Sequence, residues 1–415
     1  MITQELQKPN QGYKPFRLNA HSNIVFSLIP DSWQIVTVGS ISEHITKGTT
    51  PSTEGYDYVK EGIPFFRVEN IDELGNLDLT NCNHISKDVH DKLLRSHLKE
   101  GDILFSLAGT LGRVGIVKRH QAPANVNQAL GIIRITDRAY DRTFLQYFLR
   151  SLILEKQINI EKTISAQPNV SLTQLSNFKI VKPPLIEQEK IVSILSKVDK
   201  LIQKTDQIIE QTQRLKKGLM RKLLTKGTDV QLSNIIELTM GQSPSGDSYN
   251  TNHVGTPLLN GPTEFGLEYP MPVQFTTKPT KLCQIDDILL CVRGSTTGRL
   301  NRADQIYCIG RGLASIRGKH AKSNTRWLYY QFQRIQNRIY NIASGGGSTF
   351  PNINSDIIRK MTVPCPDIDE QFRISNILSN IDKYTNGHIA CKAKLESLKE
   401  GLAQNLLTGK MRVKA

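Results

Sequence analysis

Cysteine is sparse: the 415 residues contain six, Cys82, Cys283, Cys291, Cys308, Cys365 and Cys391, with no C-x-x-C pair. That scatter excludes a zinc ribbon and gives no extracellular disulfide framework, so a reducing cytoplasm is the expected location. No run approaches the roughly 18 uninterrupted apolar residues of a membrane helix. The start, MITQELQKPNQGYKPF, has no basic region followed by an apolar stretch, so neither export nor membrane insertion is expected. Nucleotide chemistry is also missing its signatures. There is no G-x-x-x-x-G-K-[S/T] loop, and the only Pro-Pro pair, in KPPLI from Lys182, lacks the amide and the aromatic of a DNA-methyltransferase tetrapeptide.

Two clusters could be mistaken for reaction centres. Cys82, His84, His90 and His97 match no common zinc spacing, and KDVHDKLLRSHLKEGD from Lys87 reads as an amphipathic helix bearing exposed histidines. Asp367, Asp369 and Glu370 stand at an expected helix start, where capping accounts for them. The glycines of AGTLGRVG and SGGGSTF suit turns, or close approach to a DNA backbone. No catalytic constellation and no metal set emerges.

Positive charge is abundant: 53 Lys and Arg oppose 38 Asp and Glu, a net +15. Such an excess favours a polyanionic partner, nucleic acid first. At ~100 to 200 residues per domain the length allows two to four domains.

The chain repeats itself. EQEKIVSILSKVDK from Glu187 matches EQFRISNILSNIDK from Glu370 at eight of fourteen positions, an offset of 183. At the same offset QRLKKGLMRKLLT from Gln213 matches ESLKEGLAQNLLT from Glu396 at seven of thirteen. Fainter echoes join PNV at Pro168 to PNI at Pro351, LGIIRI at Leu130 to LASIRG at Leu313, GDILFSLAGT to DDILLCVRGS, and GTTPS to GQSPS at offset 193. Two copies of one unit, each a globular part followed by a helix, account for the chain.

The helical parts carry a 3.5-residue apolar period. With Ile191 at position a, that series runs through Val198, Thr205, Thr212 and Leu219, and the d series is Ile194, Leu201, Ile208 and Leu215, widened by Leu195, Ile202, Ile209 and Leu223. The second seam is Ile374, Ile377, Ile381, Tyr384, His388, Cys391, Leu395, Leu398 and Leu402, with Leu378 and Leu406 beside it. The weaker middle of the second seam suggests that the two helices pair with each other. Prolines precede both helices, acids begin them, and Gly227 or Gly409 follows the last turn, which is basic before Gly227. About 40 residues at ~1.5 Å rise make a rod on the order of 60 Å. Gly218 and Gly401 occupy one place in both helices, where glycine costs on the order of 1 kcal/mol, so a close contact with another backbone or a partner subunit is expected.

Short β-rich runs with interspersed helices fill the remainder, which reads as α+β. The expected segments are a globular domain at 1–184, a spacer helix at 185–227, a second domain at 228–366 and a distal helix at 367–415. Their net charges are +3, +5, +5 and +2.

Residue types that reach phosphates or base edges concentrate in loops. In the first domain these are Lys47, Thr49, Thr50, Ser52, Tyr56, Arg67, Asn70, Arg113, Asn127 and Gln128. In the second they are Gln242, Ser243, Ser245, Tyr249, Asn260, Arg293, Arg299 and Arg311.

The paired helix starts PPLIEQEKIVSILSKVDKLI and DIDEQFRISNILSNID, the LKxGLxxxLLT endings, GDILFSLAGTLGRVGIV and IPDSWQIVTVGSI together resemble the specificity subunits of type I restriction-modification systems, over nearly the whole chain. The resemblance implies two target-recognition domains related by a pseudo-twofold axis, each reading half of a split DNA site. Two antiparallel helices would set the unread spacer. It also implies docking of two methyltransferase subunits and of restriction subunits with translocase activity. We place Glu187, Gln188, Ile191, Gly218, Glu370, Gln371, Ile374 and Gly401 at subunit interfaces. The chain itself would hold no chemistry, and S-adenosylmethionine, ATP and Mg²⁺ would belong to its partners. Two other classes compete: a self-contained methyltransferase or nuclease, and a coiled-coil nucleic-acid-binding scaffold without sequence choice.

Overall fold

A computed structural model describes residues 12–17, 25–162, 169–345 and 351–413. Pro168 of the first PNV echo and most of the SGGGSTF run lie outside these residues. The chain forms two compact units, one made of residues 1–204 with 391–415, the other of 205–390. They do not follow the four expected segments, because each long helix contributes one part to each unit.

In the first unit, strands β1 (Ser42–Lys47), β2 (Ile63–Phe66), β3 (Ile103–Ser106), β4 (Val114–Ile116), β5 (Ala124–Val126) and β6 (Leu130–Ile135) precede helices α1 (Arg142–Leu149) and α2 (Leu185–Leu223). One antiparallel sheet has the order β1-β6-β3-β4, and β2 pairs in parallel with β5 in another. In the second unit, β7 (Ile236–Met240), β8 (Thr256–Leu259), β9 (Ile288–Cys291), β10 (Leu300–Arg302), β11 (Cys308–Ile309) and β12 (Leu313–Gly318) precede α3 (Thr325–Ser344) and α4 (Ile368–Leu406). The order β7-β12-β9-β10 and the parallel pair β8 with β11 reproduce the first unit. The repeat in sequence is therefore a repeat in topology.

Capping repeats too. Asp141 accepts from the Phe144 N–H at 2.7 Å to begin α1, and Asn324 accepts from Trp327 at 2.8 Å to begin α3, both 183 residues apart. Asp367 accepts from the Glu370 N–H at 2.8 Å, which confirms the capping assignment for that acidic cluster. Each globular core is closed by large apolar side chains, with Trp33, Phe105, Phe144 and Phe148 in one and Trp327, Phe332, Ile288 and Ile316 in the other. Ile191 and Ile374, at equivalent helix positions, are buried in these cores. Full burial of such a side chain stabilises by about 1.5–3 kcal/mol.

Antiparallel pairing of α2 and α4 is visible inside each unit. In the first, Arg412 just past α4 bonds Glu187 at 2.6 Å and Lys399 bonds Asp199 at 2.6 Å. In the second, Lys216 bonds Asp382 at 2.6 Å and Lys226 bonds Glu370 at 2.9 Å.

The seam is displaced from the expected one. Ile191, Leu195, Val198, Ile202 and Thr205 are buried, whereas Leu201 and Leu215 of the d series are about half exposed, at 51% and 56%. In α4 the buried set is Ile374, Leu378 and Thr385, with Tyr384 and Leu398 exposed. The helices therefore bury positions a and e, and the e position accommodates Lys216 and Lys399.

One local expectation also changes. The segment from Lys87 is helical only to Lys92 and then passes through a 3-10 turn into a short strand at His97–Leu98. Its histidines are not exposed: the His90 and His97 rings stack 3.9 Å apart, and His90 bonds Asn125. RTFLQYFLRSLILEKQI forms two helices, Arg142–Leu149 and the one from Leu152, with the Ser151 hydroxyl donating to Phe148 O at 2.6 Å between them.

Candidate nucleic-acid interface

Three stretches far apart in sequence converge at one end of the first four-stranded sheet. β1 ends at Lys47, which is exposed. The Gly48 N–H then donates to Leu130 O at 3.1 Å and the Thr49 N–H to Val126 O at 3.1 Å. Only glycine fits at position 48, since an added Cβ would lie 2.0 Å from Val126 O. The Asn127 N–H donates to Phe66 O at 3.2 Å, which brings in the end of β2 and hence Arg67. The Thr50 hydroxyl donates to Gln128 Oε1 across the same junction. Gln128 is exposed. Arg67 Nε and Asn127 Oδ1 are both buried without a hydrogen-bond partner among the described residues.

The second unit builds the same junction from other side chains. The Gly241 N–H donates to Leu313 O and the Gln242 N–H to Ile309 O, both at 2.9 Å. A Cβ on Gly241 would lie 2.1 Å from Gly310 O. The Gly310 N–H donates to Leu259 O at 2.8 Å, and the Arg311 N–H donates to Ser243 Oγ at 3.2 Å. Asn260, the counterpart of Arg67, donates through Nδ2 to Gln274 Oε1 at 3.0 Å. Gln242 and Arg311 are exposed. Backbone geometry is thus held constant while the displayed groups change from Lys47, Arg67 and Gln128 to Met240, Asn260 and Arg311. Such loops can present donors and acceptors to base edges and cations to phosphates.

Other expected contact residues have different placements. Asn70 is 2% exposed, accepting from the Arg67 N–H at 2.8 Å and donating to Asn81 O at 3.2 Å, so it holds the loop from beneath. Arg113 donates to Ile71 O at 2.9 Å and Arg299 to Phe265 O at 3.5 Å, matching bonds within the two units. Ser52 and Ser245 are exposed in 3-10 turns or their caps. Tyr56 packs under Lys92 Nζ at 5.1 Å from its ring centre, and the Tyr249 hydroxyl donates to Pro244 O at 3.3 Å. Arg293 is exposed, its backbone bridged to Asn352.

Sequence reading missed Arg95 and Thr280. Arg95 donates to Thr49 Oγ1 at 2.9 Å and adds an exposed guanidinium to the first junction. Thr280 donates to Gln242 O in the second. Neither residue falls in a repeated motif, so nothing in the local sequence marked it.

The helix starts do intrachain work where a subunit interface was expected. Glu187 is 5% exposed and accepts from Trp33 Nε1 at 3.1 Å and from Arg412. Gln188 accepts from the Asp141 N–H at 2.8 Å and donates to Ala139 O and Pro183 O, and Gln371 repeats this with Asn324, Lys322 and Pro366. Burial of Gln188, Ile191, Gln371 and Ile374 at 1% exposure or less leaves them no surface for a partner. Glu370 is half-buried, and Arg373 first, then Lys226, hold its carboxyl down at about 2. Apart from their own helix backbone, no atom of the described residues lies within 4 Å of a Cβ added at Gly218 or Gly401.

Among the described residues no group of three or more His, Cys, Asp or Glu is placed to hold a metal, and no helix is long and apolar enough to cross a membrane. The model of the type I restriction modification DNA specificity domain matches twice, at residues 30–214 and 228–397. The putative type I restriction enzyme MjaX specificity subunit of Methanocaldococcus jannaschii is 33% identical over 93% of this chain and 95% of its own length. The EcoBI specificity subunit of Escherichia coli is 29% identical over 40% of this chain and 34% of its own. The S subunit from M. genitalium shares the fold with a TM-score of 0.61 at 16% identity, covering 94% of this chain and 98% of that one. A chain from a structural study of complex assembly and conformational transition of the type I R-M system gives 0.60 at 21%, covering 92% and 99%. With its tandem domains and paired helices, the chain belongs to the type I restriction-modification specificity subunits, the non-catalytic members that give such complexes their choice of DNA sequence.

Proposed function

We propose that this chain reads a bipartite DNA target, each unit contacting one half-site through its three-stretch junction, with α2 and α4 fixing the length of the unread spacer. The observation that carries this reading is the duplicated junction: the same main-chain bonds around Gly48 and Gly241 display different side chains. A constant frame with variable groups is what two different half-sites require.

Two methyltransferase subunits dock on the helices, and restriction subunits with translocase activity complete the complex. In support, Leu201 and Leu398 are exposed in the first unit, and their repeat counterparts Tyr384 and Leu215 are exposed in the second. Each unit thus exposes an equivalent pair of apolar side chains, one of them three residues before Gly401 or Gly218. S-adenosylmethionine, ATP and Mg²⁺ act on those partners, in the cytoplasm.

The test is binding of the chain with its methyltransferase subunit to a methylome-derived duplex and to scrambled duplexes at several salt concentrations. Specific affinity should exceed non-specific by ~10³-fold or more. Equal affinity at every salt concentration rejects sequence reading, because phosphate attraction alone then explains binding.

A further inference from the structure

Among the side chains at the first junction, Arg67 is held in a way that separates a base contact from a phosphate contact. Its backbone is fixed. The Arg67 N–H donates to Asn70 Oδ1 at 2.8 Å, and the buried Asn70 donates through Nδ2 to Asn81 O at 3.2 Å. Arg67 stands just past β2, at the start of the 3-10 turn Val68–Asn70. The Asn127 N–H donates to Phe66 O at 3.2 Å, which sets the root of Asn127 beside that of Arg67.

The guanidinium carries its own counter-ion. Arg67 Nη2 meets Glu69 Oε1 at 2.8 Å, with 38% and 59% of the two side chains open to solvent. An ion pair this exposed is weak, so it yields to a better set of acceptors. Arg67 Nε and Asn127 Oδ1 are meanwhile buried without a hydrogen-bond partner among the described residues, a state that native structures seldom keep. Pairing with Glu69 therefore leaves the guanidinium incompletely satisfied. In the second unit Asn260 replaces Arg67 and donates to Gln274 Oε1 at 3.0 Å, and Gly310 replaces Asn127. The cationic arrangement belongs to the first junction.

We infer that Arg67 reads a guanine in the half-site of the first unit, and that Glu69 is a positioning residue which turns it from phosphates towards bases. The inference rests on the half-site reading above. A carboxylate at 2.8 Å offsets the charge of the guanidinium and repels a phosphate, whereas a base edge is neutral and is not repelled. Arginine only donates, so the amino groups that adenine and cytosine show in the major groove do not match it. Thymine offers one acceptor there. Guanine offers two side by side, O6 and N7, and a planar guanidinium donates to both at once.

The test uses the full chain with the methyltransferase subunit of its own system, the methylome-derived duplex, and a set in which each base pair is replaced in turn. Wild type is expected to lose affinity about tenfold or more when one particular G·C pair in one half-site is replaced. Arg67→Lys keeps the charge, and Arg67→Asn gives the position the residue type of Asn260. Both variants are expected to lose discrimination at that pair and to keep it everywhere else, the second half-site reporting an intact fold. Glu69→Gln is expected to bind scrambled duplexes more tightly, with a steeper salt dependence. Wild-type discrimination by Arg67→Lys overturns the inference. So does an Arg67→Asn variant that binds all duplexes equally more weakly with a shallower salt dependence, the mark of a phosphate contact. Unaltered binding of scrambled duplexes by Glu69→Gln strikes out the positioning role. A wild-type complex without any sequence preference is a different result, and overturns the half-site reading itself.

Discussion

Asp199 on α2 and Lys399 on α4 are joined by an ion pair of 2.6 Å, and the Tyr147 hydroxyl donates to the same carboxylate at 2.6 Å. The arrangement recurs 183 residues on, with Asp382 receiving Lys216 at 2.6 Å and the Tyr330 hydroxyl at 2.8 Å. Each triad ties a globular domain to both helices. Burial first, then the nearby aspartate, raises both phenols well above their ordinary values, so they stay neutral donors. Asp199→Asn removes a charge-assisted interaction and should cost about 1–3 kcal/mol. Urea denaturation of Asp199→Asn, Lys399→Met and the double variant checks this, with strong non-additivity expected for residues in contact.

Glu370 gives a pH signature. Its folded pKa of about 2 lies below the ordinary 4.5, so its contribution to stability is fully present above the ordinary value and disappears as pH falls through the folded one. The melting-temperature difference between wild type and Glu370→Gln should be constant near neutrality, shrink below pH 4.5 and vanish near pH 2. A difference independent of pH would contradict the assignment to Arg373 and Lys226.

Gly48→Ala and Gly241→Ala place a Cβ 2.0 Å and 2.1 Å from backbone oxygens. Each should open one junction. Gly48→Ala is expected to abolish recognition of one half-site and Gly241→Ala of the other, each variant retaining affinity for the remaining half. Competition binding with duplexes mutated in either half reads the outcome, and identical losses for both variants would argue against separate reading.

Beyond their own helix backbone, Gly218→Ala and Gly401→Ala meet no atom of the described residues within 4 Å. Helix propensity alone should then stabilise the isolated chain by up to about 1 kcal/mol per substitution. If these glycines allow close approach of a partner subunit, the same variants will bind that subunit more weakly. A higher denaturation midpoint with unaltered assembly would remove them from the interface.

The spacer helices make a geometric prediction. A seven-residue insertion after Thr205 in α2, matched by one after Ala390 in α4, preserves both Asp–Lys pairs and the seam. It should lengthen the unread spacer by several base pairs while both half-sites stay the same, read by mapping methylated adenines. An unchanged spacer refutes the ruler role. Insertion into α2 alone should destabilise the chain, since one set of pairs falls out of register.

The sequence by itself determined the duplication, the two long helices with their acidic starts, and the family. These are local or periodic properties, and the 183-residue offset exposes them without three-dimensional information. Tertiary structure decided which apolar stripe faces inward. Positions d and e are both apolar along much of α2, and period alone cannot choose between adjacent stripes; contact with the globular domain buries e and exposes Leu201 and Leu215. It also gave Glu187 and Gln188 their partners inside the chain, Trp33 and Asp141, which stand 154 and 47 residues away. The three-stretch junction was legible only in pieces. Gly48, Phe66 and Val126 become neighbours because β1 aligns with β6 and β2 with β5, and a long-range pairing of that kind leaves no mark on any single stretch of sequence.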